Sequence, residues 1–185
     1  LEVINPRGRR MTKVFRFNWN IKTFPFEVCK TVYEESQRLD KMMFWRHRKE
    51  VRPRKDDPCF FWLGTTGTNN KEFRKLQGVV GIGQIADNEK YQFQYDSKTT
   101  PKYLTELGDV KSKEQFENMI FSKVKVIFLA FDKAIMSKKE ATHWFNDDVH
   151  KVSGNAESNY INDAFQEIAQ KLIKETERRI KKSRS

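Results

Sequence analysis

Two cysteines in 185 residues, Cys29 and Cys59, are too few for a disulfide framework or a four-ligand zinc site. Cys29 falls on the apolar side of a predicted helix and Cys59 inside a predicted strand, so both read as small hydrophobes rather than nucleophiles. Histidine is equally scarce: His47, His143 and His150 are the three in the chain. His143 and His150 can be drawn with Asp147 and Asp148 as a metal cluster. Their spacing fits neither a one-face helical pair nor a zinc pattern, which makes surface polar residues the better reading. No apolar run approaches the roughly 18–20 residues that cross a bilayer. Leu1-Glu2-Val3 shows neither signal-peptide anatomy nor an initiator Met. These absences lead us to expect a protein of cytoplasm or nucleus with no metal, cofactor or membrane contact, either trimmed or one module of a longer chain.

What is abundant is basic charge and aromatic rings. The formal net charge is +11 and aromatics make up 13% of the chain, with 15 Phe and 4 Trp. The charge is unevenly placed. Residues 1–55 carry 15 basic and 6 acidic side chains, residues 56–177 carry 16 and 19, and the last eight residues add five more basic ones. The excess lies in Arg7–Arg16, Arg46–Lys55 and Arg178–Arg184. Separated blocks of this kind suggest a surface facing a polyanion, although for the tail a solvated, disordered extension is the simpler expectation.

The chain reads as one α+β domain without repeats or linkers. Thr12–Asn18 predicts a strand. Thr23-Phe24-Pro25 offers a helix start, with Phe26, Cys29, Val32 and Tyr33 at helical spacing up to about Asp40. Met42–Trp45 is a short apolar patch, and Pro53 keeps the basic stretch after it out of a helix interior. Cys59–Leu63 is short and wholly apolar, the pattern of a strand buried on both faces. A polar loop from Gly64 through Lys75 leads to a second core strand, Leu76–Ile85. Its glycines, Gly78, Gly81 and Gly83, lie within the strand pattern rather than in a strand-to-helix turn, so they indicate close approach to the sheet and not a dinucleotide loop. Residues 87–111 are polar with scattered aromatics and give no clear pattern. Ser112–Gln115 and Ser137–Glu140 are capping boxes opening two helices. Lys123–Phe131 predicts a strand, and Ile161, Phe165, Ile168, Leu172 and Ile173 draw one stripe of a final amphipathic helix. The domain is placed at 12–176, with 1–11 a basic arm or cloning remnant and 177–185 a basic tail.

No constellation of an enzyme emerges, so a non-catalytic protein is expected. Aromatic rings interleaved with cations are the remaining signal. Trp19 lies between Asn18 and Asn20, and Trp45 precedes Arg46, His47 and Arg48. A Trp beside cations suits base stacking with backbone neutralisation, and an Asn amide offers both a donor and an acceptor to a base edge. For Trp45 a core position is an equal alternative; for Trp62 and Trp144 the core is preferred.

The segment Asp57-Pro-Cys-Phe-Phe-Trp-Leu-Gly64, a loop, then Gly78-Val-Val-Gly-Ile-Gly-Gln-Ile85 resembles the signature of EVE domains, a family of the PUA-like superfold related to YTH domains. The order of flanking elements agrees over roughly Lys13–Ile173, and the closing region is similar to EVE modules of HNH- and McrB-type restriction proteins. Two departures stand out. The family's Gly-Asp is Asp56-Asp57, and Thr65–Lys75 lengthens the hairpin.

The resemblance implies a small bent β-barrel with peripheral helices and a C-terminal helix. It also implies a modified base, flipped from DNA or taken from RNA, held in an aromatic pocket. Trp45 matches the cage Trp; Asn18 and Asn20, with Trp19 between them, fall at the pocket-side polar positions; Trp62, Gly64 and Gly78 match one pocket wall. The second cage aromatic is expected among Tyr91, Phe93, Tyr95 and Tyr103, with Tyr95 carried into the candidate set. Backbone contacts are expected from Arg46, His47, Arg48, Lys49, Arg52, Arg54 and Lys55, and from Lys71, Arg74 and Lys75 in the insertion. The expected partner is nucleic acid, DNA before RNA, with a nuclease or AAA+ motor acting alongside. The alternatives are an RNA reader, a nucleic-acid-processing enzyme, and a protein-interaction module with a solubilising tail.

Overall fold

The apolar runs become strands. The computed structural model describes residues 12–47, 49, 52–64, 71–144, 161 and 165–185. Along the chain run β1 (Phe15–Trp19), α1 (Phe26–Leu39), β2 (Met43–His47) and β3 (Pro58–Leu63), then a 3-10 segment, Lys71–Leu76. There follow β4 (Gly78–Ile85), α2 (Lys102–Thr105), α3 (Lys113–Glu117), β5 (Ile120–Leu129), β6 (Met136–Ser137), α4 (Lys138–Trp144) and α5 (Gln166–Arg184). The sheet order is β1-β3-β4-β5-β2, with β6 also on β4. β1 and β3 are parallel, Phe17 opposite Phe61, and the other pairs are antiparallel.

The two ends of this sheet meet. In a flat sheet β1 and β2 would lie four strand spacings apart, about 19 Å. Instead the Phe17 and Trp45 rings are 6.1 Å apart, and both pack on Phe61, at 5.9 and 4.6 Å. The sheet is therefore curled into a half-barrel. Bulges at Phe61/Trp62 and Ile82/Gly83 raise the local twist that curling needs. Gly78, at φ 131°, lies so close to the Met136 carbonyl that any side chain would collide with β6.

Strand periodicity explains the unbroken apolar run of β3. Cys59, Phe61 and Leu63 enter the core inside the curl, with Phe15, Phe17, Trp45 and Phe121. Phe60 and Trp62 face outward into a second core with Val79, Ile82, Ala169, Leu172 and Ile173, which α4 and α5 cover. The expected strand buried on both faces is what forms.

Several expectations need correction. Leu76 closes the 3-10 segment, so β4 starts at Gly78. Helix α1 is capped at Pro25 with no side-chain bond; the Thr23 carbonyl is used elsewhere, accepting from Gly108 N at 2.7 Å. Arg16, counted in a surface block, is buried, and desolvation pulls its pKa down to about 9. The tail from Arg178 is not a loose extension but the last turns of α5, anchored by buried Ile180. Asp56 adopts the left-handed φ of 68° that Gly would favour. The Ser137 box forms in full, Ser137 N donating to the Glu140 carboxylate at 2.8 Å and Glu140 N to Ser137 Oγ at 3.3 Å. At Ser112 only half does, Oγ accepting from Gln115 N at 3.1 Å while the Gln115 side chain accepts from Lys111 N instead. Among the described residues no helix is long and apolar enough to cross a membrane.

Candidate functional site

Curling brings the end of β1 beside the middle of β2 and leaves a cavity of about 940 Å³ between them. That is within the roughly 300–1,000 Å³ of ligand clefts. Three connections complete its walls. The turn after β1 supplies Asn20, Thr23 and Phe24; the segment 104–109 supplies Leu104, Leu107 and Asp109; the end of α3 leads into Asn118 and Met119. The turn is closed by the Asn20 carbonyl, which accepts from Thr23 N at 3.0 Å and Phe24 N at 2.8 Å, while Asn20 Oδ1 accepts from Lys22 N at 3.0 Å. Gly108 docks on that turn so tightly that a β-carbon would strike the Lys22 carbonyl oxygen. This contact holds Asp109 at the mouth.

The apolar lining is aromatic. Trp45 is 4% exposed, wedged among Phe17, Phe61 and Phe24, the last with its ring centroid at 5.4 Å. Phe24 is backed by Tyr103, stacked at 5.8 Å, whose hydroxyl oxygen accepts from Phe44 N at 2.8 Å. Burial pushes the Tyr103 phenol well above its ordinary range, so the hydroxyl stays neutral.

The polar lining is unusual. Three residues that line this space carry buried side-chain atoms with no hydrogen-bond partner among the described residues: Asn18 Nδ2 and Oδ1, Trp45 Nε1 and Asp109 Oδ1. More than nine in ten buried polar groups in folded proteins are paired, and an unpaired one costs about 1–3 kcal/mol. Of these four atoms, two belong to donor groups and two are acceptors. At the rim, Arg46 forms an ion pair with the other oxygen of Asp109, and Lys49 is exposed.

Of the residues singled out in the sequence, Asn18, Asn20, Trp45, Arg46, His47 and Lys49 line the cavity. Trp19 does not. It packs in the inner core instead, stacking on Phe26 at 5.7 Å with Nε1 donating to the Phe24 carbonyl at 2.8 Å. Trp62 lies in the outer core under α5, with Gly64 beside its indole, and Gly78 belongs to the β4–β6 contact. Tyr95 packs edge-on against Phe116 at 5.6 Å, under Lys113, away from the cavity. Tyr91 and Phe93 flank Phe44, each at 5.0 Å.

His47 is 4% exposed and so is not presented to a phosphate. Arg52, Arg54, Lys55, Arg74 and Lys75 are exposed. Arg48, and the side chain of Lys71, lie outside the described residues, as do Asp147, Asp148 and His150. Sequence reasoning missed Phe24, Phe44 and Asp109. Phe24 sits in the Thr-Phe-Pro that was read as a helix start, and Asp109 sits in the unpatterned stretch 87–111, where no local signal marks it.

A curled five-strand mixed sheet with helices on its convex face and a polar-aromatic cavity at its closing edge defines a small α+β half-barrel. No family model and no curated protein matches the chain. Among solved structures, a hypothetical protein from Leishmania major is similar, with a TM-score of 0.53 and 14% identity over 91% of this chain and 96% of that one. At that identity the likeness is one of fold.

Proposed function

We propose that this chain is a non-catalytic reader of modified nucleobases in DNA, a PUA-like domain of EVE type that takes one extruded base into the cavity between Asn18 and Trp45. The observation that carries the reading is the set of unpartnered buried atoms on Asn18 and Trp45, in an aromatic cavity with a basic rim. A nucleobase needs a stacking surface and an edge of mixed donors and acceptors, and this cavity holds both. Stacking contributes roughly 1–3 kcal/mol per base, enough with edge hydrogen bonds to offset the few kcal/mol of extrusion. Arg46, Lys49, Arg52 and Lys55 would then hold the flanking phosphates, supplying affinity without sequence information.

The test is a panel of duplexes differing in one base (plain, N6-methyladenine, 5-methylcytosine, 5-hydroxymethylcytosine), titrated at two salt concentrations, with matched RNA as competitor. Trp45→Ala should remove the preference for the modified duplex and keep salt-sensitive background binding. Because Trp45 is packed in the core, Trp45→Phe, which deletes the indole N–H and keeps a ring, should narrow the preference in a folded protein. Equal loss on modified and plain DNA would exclude a specific pocket, and preferred binding of the RNA would move the reading to RNA.

A further inference from the structure

Asp109 holds an unusual place in this cavity. Asp109 lines the cavity; one carboxylate oxygen, Oδ2, is engaged by Arg46, while Oδ1 is buried with no partner among the described residues. A carboxylate oxygen paired with an Arg acts as a hydrogen-bond acceptor. Asn18, also a lining residue, carries a second buried acceptor, Oδ1, with no partner among the described residues. A ligand that satisfies both must bring at least two N–H hydrogens to the pocket. A carbonyl set against Oδ1 would instead oppose lone pair to lone pair.

Resting on the base-reading proposal above, we infer that Asp109 is a specificity-determining residue that restricts the pocket to bases with a free exocyclic amino group. The chemistry of the bases makes the restriction sharp. Joined to a sugar, thymine and uracil keep one N–H, at the ring nitrogen. Cytosine and adenine carry two on the amino group, and guanine carries three. Methylation on the amino nitrogen leaves adenine or cytosine with one. The modification read by this pocket therefore lies elsewhere on the base, and the amino nitrogen is bare. Arg46 is the positioning partner, and the docking of Gly108 on the Lys22 carbonyl fixes the loop that presents the carboxylate.

The cleanest probes are oligonucleotides identical except for a central 5-methylcytosine, thymine or N4-methylcytosine, measured by fluorescence anisotropy. The first two share the 5-methyl group and differ by exchange of the amino group for a carbonyl, with the accompanying ring N–H. The wild-type protein should bind 5-methylcytosine at least about tenfold more tightly than either of the others, the scale of one hydrogen bond to a charged group. Asp109→Asn is nearly isosteric, and its amide can turn either a donor or an acceptor inward, so the preference should collapse toward unity. Arg46→Gln leaves Oδ1 in place and should weaken all three probes while keeping most of the ratio. Wild-type preference for thymine or N4-methylcytosine would overturn the inference. So would an Asp109→Asn ratio equal to the wild-type ratio in a panel where Trp45→Ala abolishes discrimination, and in either case the base-reading pocket would stand. If Trp45→Ala leaves discrimination unchanged, the pocket reading itself fails and this inference with it.

Discussion

Asn18 is held in a position that a protein built for stability alone would not choose. Both polar atoms of its amide are buried without a partner among the described residues, near the end of a strand whose other residues are all buried. Removing such a group relieves a desolvation cost, so Asn18→Ala should leave the unfolding free energy unchanged or raise it by up to about 1 kcal/mol. The same substitution should abolish discrimination between modified and plain bases. Urea denaturation and anisotropy on one preparation check both halves. A loss of more than about 1 kcal/mol would make Asn18 a structural residue with an undetected partner. This opposition between stability and binding is the usual mark of a functional site. Trp45 and Asn18 could be singled out in the sequence because an indole among cations and an amide between apolar residues are locally odd. Phe24 and Asp109 could not, since one looks like a helix start and the other like any loop acid. Their roles come from the docking of 107–109 onto 22–24, a contact more than eighty residues distant in the chain.

At the level of elements, the long apolar strands and the capped helices were legible, because each is specified by residues within a few positions of one another. The curl of the sheet was not. It depends on two bulges and on Phe17, Trp45 and Phe61 meeting from three strands, which no window of sequence contains. The course of α5 was half legible: its apolar stripe announced a helix, but the basic tail resembled solvated chain. The structure resolves this through Glu175. Its carboxylate accepts from Arg178 Nε at 2.7 Å and Arg179 Nε at 2.9 Å, while Arg179 Nη1 reaches Glu140 at 2.9 Å and the Ile135 carbonyl at 3.2 Å. Those charge-assisted bonds, with Arg178 first and Arg179 second, pull the Glu175 pKa from its ordinary 4.5 to about 2. A folded-state pKa below the unfolded one stabilises fully above the unfolded value and is lost as pH falls through the folded one. Stability should therefore decline between about pH 4.5 and 2. Glu140, also lowered, chiefly by the Ser137 hydroxyl, acts in the same direction. Glu175→Gln should be less stable than wild type at pH 7 and should show a shallower decline in urea midpoint toward pH 2. Parallel pH profiles for the two proteins would show that the pairs add nothing to the docking of α5.

For the whole molecule, the charge total of +11 is less informative than which basic residues share a side with the cavity. The first block to line the cavity, Arg46–Lys55, contributes Arg46 and Lys49 to it, and Arg52, Arg54 and Lys55 are exposed on the connection that follows. The last block lies on α5, whose apolar face covers the outer core beneath Phe60 and Trp62, the opposite side of the sheet from the Trp45 core. Part of its charge is already matched, because Arg178 and Arg179 pair with Glu175 and Glu140. Phosphates flanking a base held at Asn18 and Trp45 should therefore be contacted by the first block and not by the last. On duplex DNA each lost phosphate contact lowers the slope of log K against log salt by about 0.9. Replacing Arg52, Arg54 and Lys55 together by Gln should reduce that slope by roughly 2–3 while leaving the ratio of modified to plain binding intact, since phosphate contacts carry no base information. Replacing Lys181 and Lys182 by Gln should leave both slope and ratio unchanged. If the α5 substitutions flatten the salt dependence and the first-block substitutions do not, the nucleic acid runs over the convex face, and the cavity between β1 and β2 is not where its base is read.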